Sequence, residues 1–330
     1  MKITIIGAGA FGSALTELAT RCDHDVLLWV HDPNVAEAII QTRSNPYYLP
    51  AAQFSAKVRV TRSLEEAARF SDTIIMVTPS HHYRSVLSEL EPSIAGRVRV
   101  ISATKGIENE TLKRTSEISR EVLEGKLAEF AVLSGPTFAF EISRGDPSAA
   151  VIASTNEELA REIQAAFSCR SFRGYRSEDV VGVELAGSLK NVIAIAAGVI
   201  EGIGYGSNTT AALITRGLHE IRKLGVALGG RHETFSGLAG IGDLVLTCTG
   251  SLSRNRNVGV ELGRGKTIEE ILSGTRLVAE GIRTSRSARD LSIRTGIDMP
   301  IVTEMFRVLY EGETARNAIQ RLMTRALKAE

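Results

Sequence analysis

The chain has 330 residues, enough for about two domains, and its 43% hydrophobic and 23% charged residues are ordinary for a globular protein. A formal net charge of +1 gives no broad basic field for nucleic acid or an anionic membrane, although a local cationic pocket for a small acidic molecule would not change it. Three separated cysteines, without zinc-type spacing, predict a reduced, cytoplasmic protein without a metal site. The apolar segments are too short or interrupted to predict a signal peptide or a membrane span.

In chain order, the first half alternates short β-rich runs with helical segments. Seven runs share a mostly apolar, β-rich composition and are predicted as strands: 3–6, 25–30, 58–60, 73–78, 99–104, 130–135 and 149–154. Helical stretches over 12–22, 64–70 and 111–125 lie between several of them. The early strands are apolar throughout, as expected when helices cover both faces of a sheet. This alternation predicts an α/β domain over residues 1–179, with a doubly wound, mostly parallel sheet.

The glycine motif Gly7-x-Gly9-x-x-Gly12 follows the first strand and opens the first helix. In this context it is typical of a Rossmann dinucleotide site, in which glycines allow a tight turn and the helix N-terminus faces the pyrophosphate. Asp32 lies about 20 residues further on, where an acidic residue takes the ribose hydroxyls of NAD. His31 precedes it, and a histidine there accommodates the extra phosphate of NADP or serves only as a loop residue. The motif predicts NAD or NADP and leaves the choice open.

Three polar turns follow predicted strands, at 77–80, at Lys105 and at 133–139. Each turn alone is explained by the ordinary chemistry of glycine, proline and threonine. Ligands of open α/β sheets bind beyond the carboxyl ends of the strands, however, and three such turns favour a ligand at this edge. Lys105 and Thr137 are the candidate side chains.

After about residue 180 the strand signals fade and helical runs follow one another. They cover 180–200, 209–228, 231–239, 257–262, 267–273, 280–296 and 301–310, and they predict an all-helical second domain over 180–330.

The first of these helices is apolar on nearly every face, which predicts a buried helix. Its polar notch is Lys190–Asn191, with Gly187 and Ala194 a turn to either side leaving room for a ligand. Burial lowers the pKa of a lysine towards the range in which a group exchanges protons at neutral pH. A lysine that reaches solvent, or one that pairs with a carboxylate such as Glu184, is the other interpretation. The helix alone does not decide between them.

The segment 237–259 is rich in Gly, Ser, Thr and Asn. Asp243 is predicted to be the N-cap of a short helix over 244–247. Ser253, Arg254 and Asn255 follow, and a guanidinium with neighbouring polar donors suits a phosphate. A solvated basic loop is the alternative interpretation.

Taken together, these stretches closely resemble the bacterial NAD(P)-dependent sn-glycerol-3-phosphate dehydrogenases. The matching motifs are IGAGAFGSAL, VTPSH, ATKGIE, SGPTFA, GSLKNVIAIAAGV, GLAGIGDLVLTCTG, SRNRNVG and VAEGIRT. The resemblance implies a Rossmann domain followed by a helical domain of the 6-phosphogluconate-dehydrogenase type. It also implies reversible reduction of dihydroxyacetone phosphate by NADPH or NADH to sn-glycerol 3-phosphate, a phospholipid precursor. Family members are often dimers, so a homodimer is expected.

The resemblance further implies a role for each matching residue. Lys190 matches the catalytic lysine, Lys105 a second lysine that touches substrate and cofactor, and Asp243 a carboxylate that orients the lysine or a substrate hydroxyl. The substrate contacts are Lys105, Gly135, Thr137, Lys190, Asn191, Asp243, Thr247, Ser253, Arg254 and Asn255. The cofactor contacts are Gly7, Gly9, Ala10, Phe11, Gly12, His31, Lys105, Ala139, Arg254, Val278 and Glu280.

Two positions differ from many family members: Ala10 replaces a serine, and His31 replaces an arginine, which weakens any preference for NADPH. Two other functions are weighed against this one. A related 3-hydroxyacid or ketopantoate-type reductase would act on a carboxylate and would not need a phosphate. A non-catalytic dinucleotide sensor would not need Lys190, Lys105 and Asp243 together.

Overall fold

A computed structural model describes residues 1–273, 279–327 and 329. The chain forms two compact units. The first consists of Met1–Lys105 with Lys113–Glu184, and the second of Gly106–Leu112 with Leu185–Glu330. The predicted domain division between residues 179 and 180 stays a prediction.

The first unit is built on a single sheet, in which eight strands are found among the described residues. They are β1 (Lys2–Ile6), β2 (Asp25–Trp29), β3 (Val58–Thr61), β4 (Thr73–Met76), β5 (Val98–Ser102), β6 (Leu127–Ser134), β7 (Ser148–Ala153) and β8 (Phe172–Ser177). The spatial order is β3-β2-β1-β4-β5-β6-β7-β8, and all neighbours run parallel except β6 and β7. The strand order reverses at β1. Because parallel crossovers are right-handed, this reversal places helices on both faces and opens a crevice beyond the strand ends.

The predicted doubly wound, mostly parallel sheet is confirmed, and each of the seven predicted strands overlaps an observed one. Strand β8 was missed because its sequence, FRGYRS, is polar and half-exposed. A search for apolar runs cannot find a strand of this kind.

Helices connect the strands of the first unit. They are α1 (Ala10–Arg21), α2 (Pro33–Thr42), α3 (Leu64–Phe70), α4 (Ser80–Leu90), α5 (Thr115–Val122), α6 (Ala139–Arg144) and α7 (Glu157–Phe167). The helix predicted over 111–125 is shorter than expected. Leu112 has a positive φ of 58°, which a helix cannot contain, and the Glu117 carboxylate accepts a hydrogen bond from the Arg114 N–H at 2.8 Å, so α5 begins at Thr115.

The helical content predicted for the second half is also confirmed. The helices are α8 (Val180–Ile203), α9 (Ser207–Ala227), α10 (Asp243–Thr249), α11 (Arg254–Gly263), α12 (Ile268–Ser273), α13 (Glu280–Thr295), α14 (Pro300–Tyr310) and α15 (Ala315–Met323). The run predicted over 231–239 is instead a 3-10 turn, His232–Ser236, followed by a π-helical turn, Leu238–Gly242. By length and composition α8 could cross a membrane, but its most apolar window is entirely buried inside the protein, as in a core helix.

Helices α8 and α11 cross where two glycines of each helix face the backbone of the other helix. A Cβ at Gly198 or Gly202 of α8 would overlap carbonyl oxygens of α11. A Cβ at Gly259 or Gly263 of α11 would overlap carbonyl oxygens of α8. The two backbones therefore touch directly, which fixes the spacing between the helix that carries Lys190 and the helix that begins at Arg254.

Candidate active site

The glycine turn between β1 and α1 has the backbone geometry that a pyrophosphate-binding loop requires. Gly7 has a φ of +120°, which L side chains rarely adopt, and a Cβ at Gly12 would overlap the Gly7 carbonyl oxygen. A Cβ at Gly9 would meet no atom of the described residues within 4 Å, so Gly9 borders open space. Gly9 is also the N-cap of α1 and has no side chain to cap the first N–H groups. The turn therefore fits a dinucleotide phosphate, and the contacts predicted for it, including Ala10, stay predictions.

The end of β2 presents the two side chains that bear on cofactor choice. The Asp32 carboxylate accepts hydrogen bonds from the N–H groups of Asn34 at 2.8 Å and Val35 at 3.4 Å, so it caps α2. His31 is exposed, and its ring centroid lies 5.8 Å from that of Trp29. A ribose bound by Asp32 would have to share a carboxylate that already caps a helix. Both NAD and NADP fit this arrangement.

Lys105, just after β5, connects two of the predicted regions of the first unit. Its ammonium donates to the Gly135 carbonyl oxygen at 3.2 Å and lies 5.9 Å from the centroid of the Phe11 ring. The Thr137 hydroxyl donates to the same carbonyl oxygen at 3.0 Å, and Ala139 begins α6 two residues later. The structure thus brings together the lysine, the aromatic side chain at the start of α1 and the turn after β6.

The Lys190 side chain is 7% exposed, and it meets α10 inside the second unit. Its Nζ donates to Asp243 Oδ1 at 2.5 Å and to Thr247 Oγ1 at 2.7 Å. The Thr247 hydroxyl donates in turn to the Asp243 backbone carbonyl at 2.6 Å, so its oxygen lone pairs remain for the lysine. A carboxylate in direct contact favours the charged form of a buried amine. The Lys190 amine is therefore held in one position by a carboxylate and a hydroxyl.

The expected N-cap role of Asp243 is wrong. Helix α10 begins at Asp243 itself, because the preceding Gly242 already has helical dihedral angles, and no side chain caps it. The Asp243 carboxylate reaches Lys190 instead. Burial raises the pKa of the neighbouring Cys248 thiol to about 12, so this group stays neutral and adds no third charge to the pair.

The residue after the lysine, Asn191, connects α8 to two other helices. The Asn255 Nδ2 donates to Asn191 Oδ1 at 3.0 Å, and the Asn255 Oδ1 accepts from the Gly281 N–H at 2.9 Å. All three residues are buried. A single amide of α11 therefore fixes α8 beside the first turn of α13, which begins at Glu280.

The start of α11 has the features of an anion site. The Ser253 hydroxyl oxygen accepts a hydrogen bond from the Arg256 N–H at 3.2 Å and so forms the N-cap. Arg254 is the first residue of the helix. A helix N-terminus beside a guanidinium suits a phosphate dianion. Val278, predicted as a cofactor contact, lies outside the described residues.

The described parts of the chain contain no group of three His, Cys, Asp or Glu side chains placed to hold a metal ion. The geometry instead supplies a candidate phosphate-binding turn in the first unit, and a buried lysine–carboxylate pair and a candidate anion site in the second.

Two family models match most of the chain. The model described as NAD-dependent glycerol-3-phosphate dehydrogenase N-terminus matches residues 2–160, and the corresponding C-terminus model matches residues 179–320. The chain belongs to the NAD-dependent glycerol-3-phosphate dehydrogenase family. The resemblance read from its motifs is thereby confirmed, and the chain is an oxidoreductase of the NAD(P)-dependent kind.

Individual glycerol-3-phosphate dehydrogenases match the chain from end to end. One from Syntrophotalea carbinolica, named glycerol-3-phosphate dehydrogenase (NAD(P)+), is 49% identical and covers 100% of this chain and 99% of its own. The crystal structure of glycerol-3-phosphate dehydrogenase from Coxiella burnetii superposes with a TM-score of 0.95 at 34% identity, over 98% of this chain and 99% of that one. A ketopantoate reductase from Ralstonia eutropha, at 18% identity and a TM-score of 0.60, shares the fold alone.

Proposed function

We propose that this chain catalyses the reversible, NAD(P)H-dependent reduction of dihydroxyacetone phosphate to sn-glycerol 3-phosphate. The observation that carries the proposal is the buried Lys190 amine, held by Asp243 and Thr247 on a helix that crosses the helix beginning at Arg254. Reduction of a ketone needs a proton donor for the oxygen, and a phosphate at one end of the substrate needs a cationic site. Family membership and the glycine turn supply the context for both.

Lys190 is the proposed proton donor. As the ketone is reduced, negative charge grows on its oxygen, and an ammonium positioned there stabilises the charge and then gives up its proton. In the oxidative direction the neutral amine takes the proton back from the hydroxyl. Asp243 and Thr247 keep the ammonium in one position, so no reorganisation is needed during the reaction.

Arg254, Ser253 and Asn255 are proposed to hold the phosphate. A guanidinium and the N–H groups of the first helical turn bind phosphate oxygens, and binding energy from this end aligns the carbonyl with the lysine. Substrates without a phosphate would lose this alignment.

The glycine turn and Phe11 are proposed to bind the dinucleotide, and Lys105 to serve both cofactor and substrate. The chemistry that a bound nicotinamide supplies is hydride transfer. The chain's own part is to hold the pyrophosphate at the N-terminus of α1.

The test compares four substrates with the purified protein and either NADPH or NADH, following the absorbance of the reduced cofactor. Dihydroxyacetone phosphate should be reduced rapidly, and dihydroxyacetone, ketopantoate and a simple 2-keto acid should be poor substrates. Comparable rates with the phosphate-free ketone would contradict the proposed phosphate site. Faster reduction of ketopantoate would favour the related reductase activity, and binding of cofactor without any reduction would favour a sensor.

A variant pair tests the phosphate site separately. Arg254→Ala should raise the KM for dihydroxyacetone phosphate by about a hundredfold, since a charge-assisted bidentate contact contributes ~3 kcal/mol. Arg256→Ala is the matched control, because this arginine belongs to the same helix but pairs with Glu201. An unchanged KM in Arg254→Ala would exclude the assigned role.

The proposal extends to a homodimer in the cytoplasm. Size-exclusion chromatography with light scattering tests the dimer, and fractionation of the source cells tests the location.

A further inference from the structure

The loop between α2 and β3 contains an asparagine that no motif of the dinucleotide site includes. Asn45 stands in the segment SNPYYLP, where an Asn-Pro pair is ordinarily a turn former facing solvent. In the structure its exposure is 0%. A fully buried amide must find its partners inside the protein, and those partners reveal what the loop is attached to.

The Asn45 amide nitrogen donates two hydrogen bonds to the glycine turn. Its Nδ2 donates to the Ala8 carbonyl oxygen at 2.8 Å and to the Ser13 hydroxyl at 2.9 Å. Ala8 is the residue between Gly7 and Gly9, and Ser13 lies in the first turn of α1. The amide therefore joins the two arms of the turn, the arm that leaves β1 and the arm that enters the helix.

The other side of the same amide organises the loop. Its Oδ1 accepts from the Tyr48 N–H at 3.2 Å, and the Leu49 N–H donates to the Asn45 backbone carbonyl at 2.9 Å. The Ala8 atom in contact is a carbonyl oxygen and the Tyr48 atom is an N–H nitrogen, so these partners determine which end of the Asn45 amide is nitrogen. A second contact holds the loop on α1: the Glu17 carboxylate accepts from the Gln53 N–H at 2.7 Å.

We propose that Asn45 is a positioning residue for the dinucleotide, acting by holding the Gly7–Gly12 turn in its phosphate-binding conformation before the cofactor arrives. The inference rests on the proposed function in that it takes this turn as the cofactor site. Gly7 and Gly9 give the turn its conformational freedom, and that freedom carries an entropy cost when a ligand orders the backbone. A donor that fixes the Ala8 carbonyl removes part of this cost in advance.

Direct titration of NADPH and NADH, followed by cofactor fluorescence, measures the effect. Asn45→Ala should raise the Kd of the preferred cofactor about tenfold, the size expected for loss of one buried hydrogen-bonding group. The KM for dihydroxyacetone phosphate at saturating cofactor, and kcat, should stay within about twofold of wild type. Ser13→Ala, which keeps the bond to Ala8, should have a smaller effect.

Asn156→Ala is the matched control. Asn156 is an amide of the same unit that caps α7, accepting from Glu158 and Leu159 N–H groups at 2.9 and 3.2 Å. Its loss destabilises the unit without touching the glycine turn. The control should lower Tm as Asn45→Ala does and leave the cofactor Kd unchanged.

Hydrogen exchange on the cofactor-free protein gives a readout independent of activity. In Asn45→Ala, amides 13–16, which begin the hydrogen-bonded part of α1 with the bond from the Ser13 N–H to the Gly9 carbonyl, should exchange about tenfold faster than in wild type, while those of α7 stay unchanged. Asn156→Ala should give the reverse pattern. If Asn45→Ala fails to fold, Asn45→Ser is the second variant, since its shorter side chain loses the donor to Ala8 without placing a charge beside the glycine turn.

The outcomes separate the two proposals. A wild-type protein that binds neither NADPH nor NADH overturns the proposed function. If the wild type binds cofactor and the Kd of Asn45→Ala or Asn45→Ser lies within twofold of the wild-type value, the role of Asn45 is overturned. An equal rise in the cofactor Kd of Asn45→Ala and Asn156→Ala also overturns the role of Asn45, because general destabilisation then explains the effect.

Discussion

Helix α8 carries two buried charges, Glu184 and Lys190, and the protein satisfies them in different ways. The Glu184 side chain is 4% exposed and faces the start of α5, where it accepts from the Arg114 guanidinium, both hydroxyls and one N–H of Thr115–Ser116 at 2.7 to 2.8 Å. The Lys190 side chain is 7% exposed and meets one carboxylate and one hydroxyl of α10.

The difference separates a structural carboxylate from the proposed proton donor. The Glu184 carboxylate accepts four hydrogen bonds, a full set for its lone pairs, and one of them comes from the N-terminal N–H groups of a helix. Lys190 is held by one carboxylate and one hydroxyl, and its neighbours a turn to either side, Gly187 and Ala194, are small and buried. Burial alone therefore does not distinguish the two charges, whereas the kind of partner that each one meets does.

From the comparison of Glu184 with Lys190, the largest effect of a substitution is expected at Lys190 and concerns kcat. Lys190→Met should lower kcat about a thousandfold, within the range for loss of a general acid, while the Kd for NADPH or NADH stays unchanged. The Asp243 carboxylate loses its partner, so Tm also falls and rates are measured well below it.

Lys223→Met, an exposed lysine of α9, is the control and should keep wild-type kcat. A kcat of Lys190→Met within tenfold of the wild-type value would contradict the proposed role of Lys190 as the proton donor.

Glu184→Ala should act on stability rather than chemistry. Removing the carboxylate takes the acceptor from two hydroxyls and the buried partner from Arg114, which keeps only its ion pair with Glu117. The free energy of unfolding should fall by about 3 kcal/mol. The kcat of the folded fraction, measured at low temperature, should remain within a few-fold of wild type. Chemical denaturation provides the measurement.

Glu121→Ala is the control, since Glu121 likewise forms ion pairs, with Arg84 and Lys113, but its side chain is 49% exposed. Its loss should destabilise the protein far less than Glu184→Ala, because an exposed ion pair is screened by solvent. Equal losses in both variants would mean that burial of Glu184 does not strengthen its contacts.

A third buried charge, Glu220 of α9, sharpens the contrast because its hydrogen-bond donors include the N–H groups of Ile301 and Val302 at the start of α14. Burial raises the pKa of Glu220 to about 7, against the lowering effect of these N–H groups; Asp298 raises it further and Arg216 lowers it. The folded protein then binds the proton more tightly than the unfolded chain. The resulting stabilisation is complete below pH 4.5 and is lost as pH rises through about 7.

Glu220→Gln should therefore gain stability relative to wild type between pH 5 and 8, by no more than roughly 3 kcal/mol. Thermal unfolding of both proteins across this range is the measurement, with the exposed Glu89→Gln as control. A difference in Tm that does not change with pH would contradict the burial argument.

The smallest effect is expected from Asp243→Asn. The amide keeps a hydrogen-bond acceptor for Lys190 but removes the charge that favours the ammonium, so kcat should fall about tenfold. In a Lys190→Met background the same substitution should have almost no effect on kcat, because the group that it serves is gone. Additive losses would place Asp243 in a separate role.

Parts of the site could be predicted from the sequence because their signals are local. Gly7, Gly9 and Gly12 lie within six positions of a strand and a helix, and helical periodicity exposed the notch at Lys190. The partner of Lys190, Asp243, lies 53 residues further along the chain, and no local pattern connects the two. Residue preference alone predicted a capping role for Asp243, which the structure contradicts.

Asn45 escaped sequence analysis for the same reason. Its two acceptors lie 37 and 32 residues away, and its local sequence predicts an exposed turn. Strand β8 was missed because edge position and partial exposure remove the apolar signal that identified the other strands.

The crossing of α8 and α11 limits how substrate length could change during evolution. The two backbones touch at Gly198, Gly202, Gly259 and Gly263. The distance from Lys190 to the start of α11 is therefore fixed by the packing of the two helices. Side-chain substitutions elsewhere cannot bring the helices closer, and any larger residue at these four positions would move them apart. In the proposed site, a longer or shorter substrate would have to be accommodated by changes in the side chains around Lys190 and at the start of α11, because the distance between the two helices cannot change.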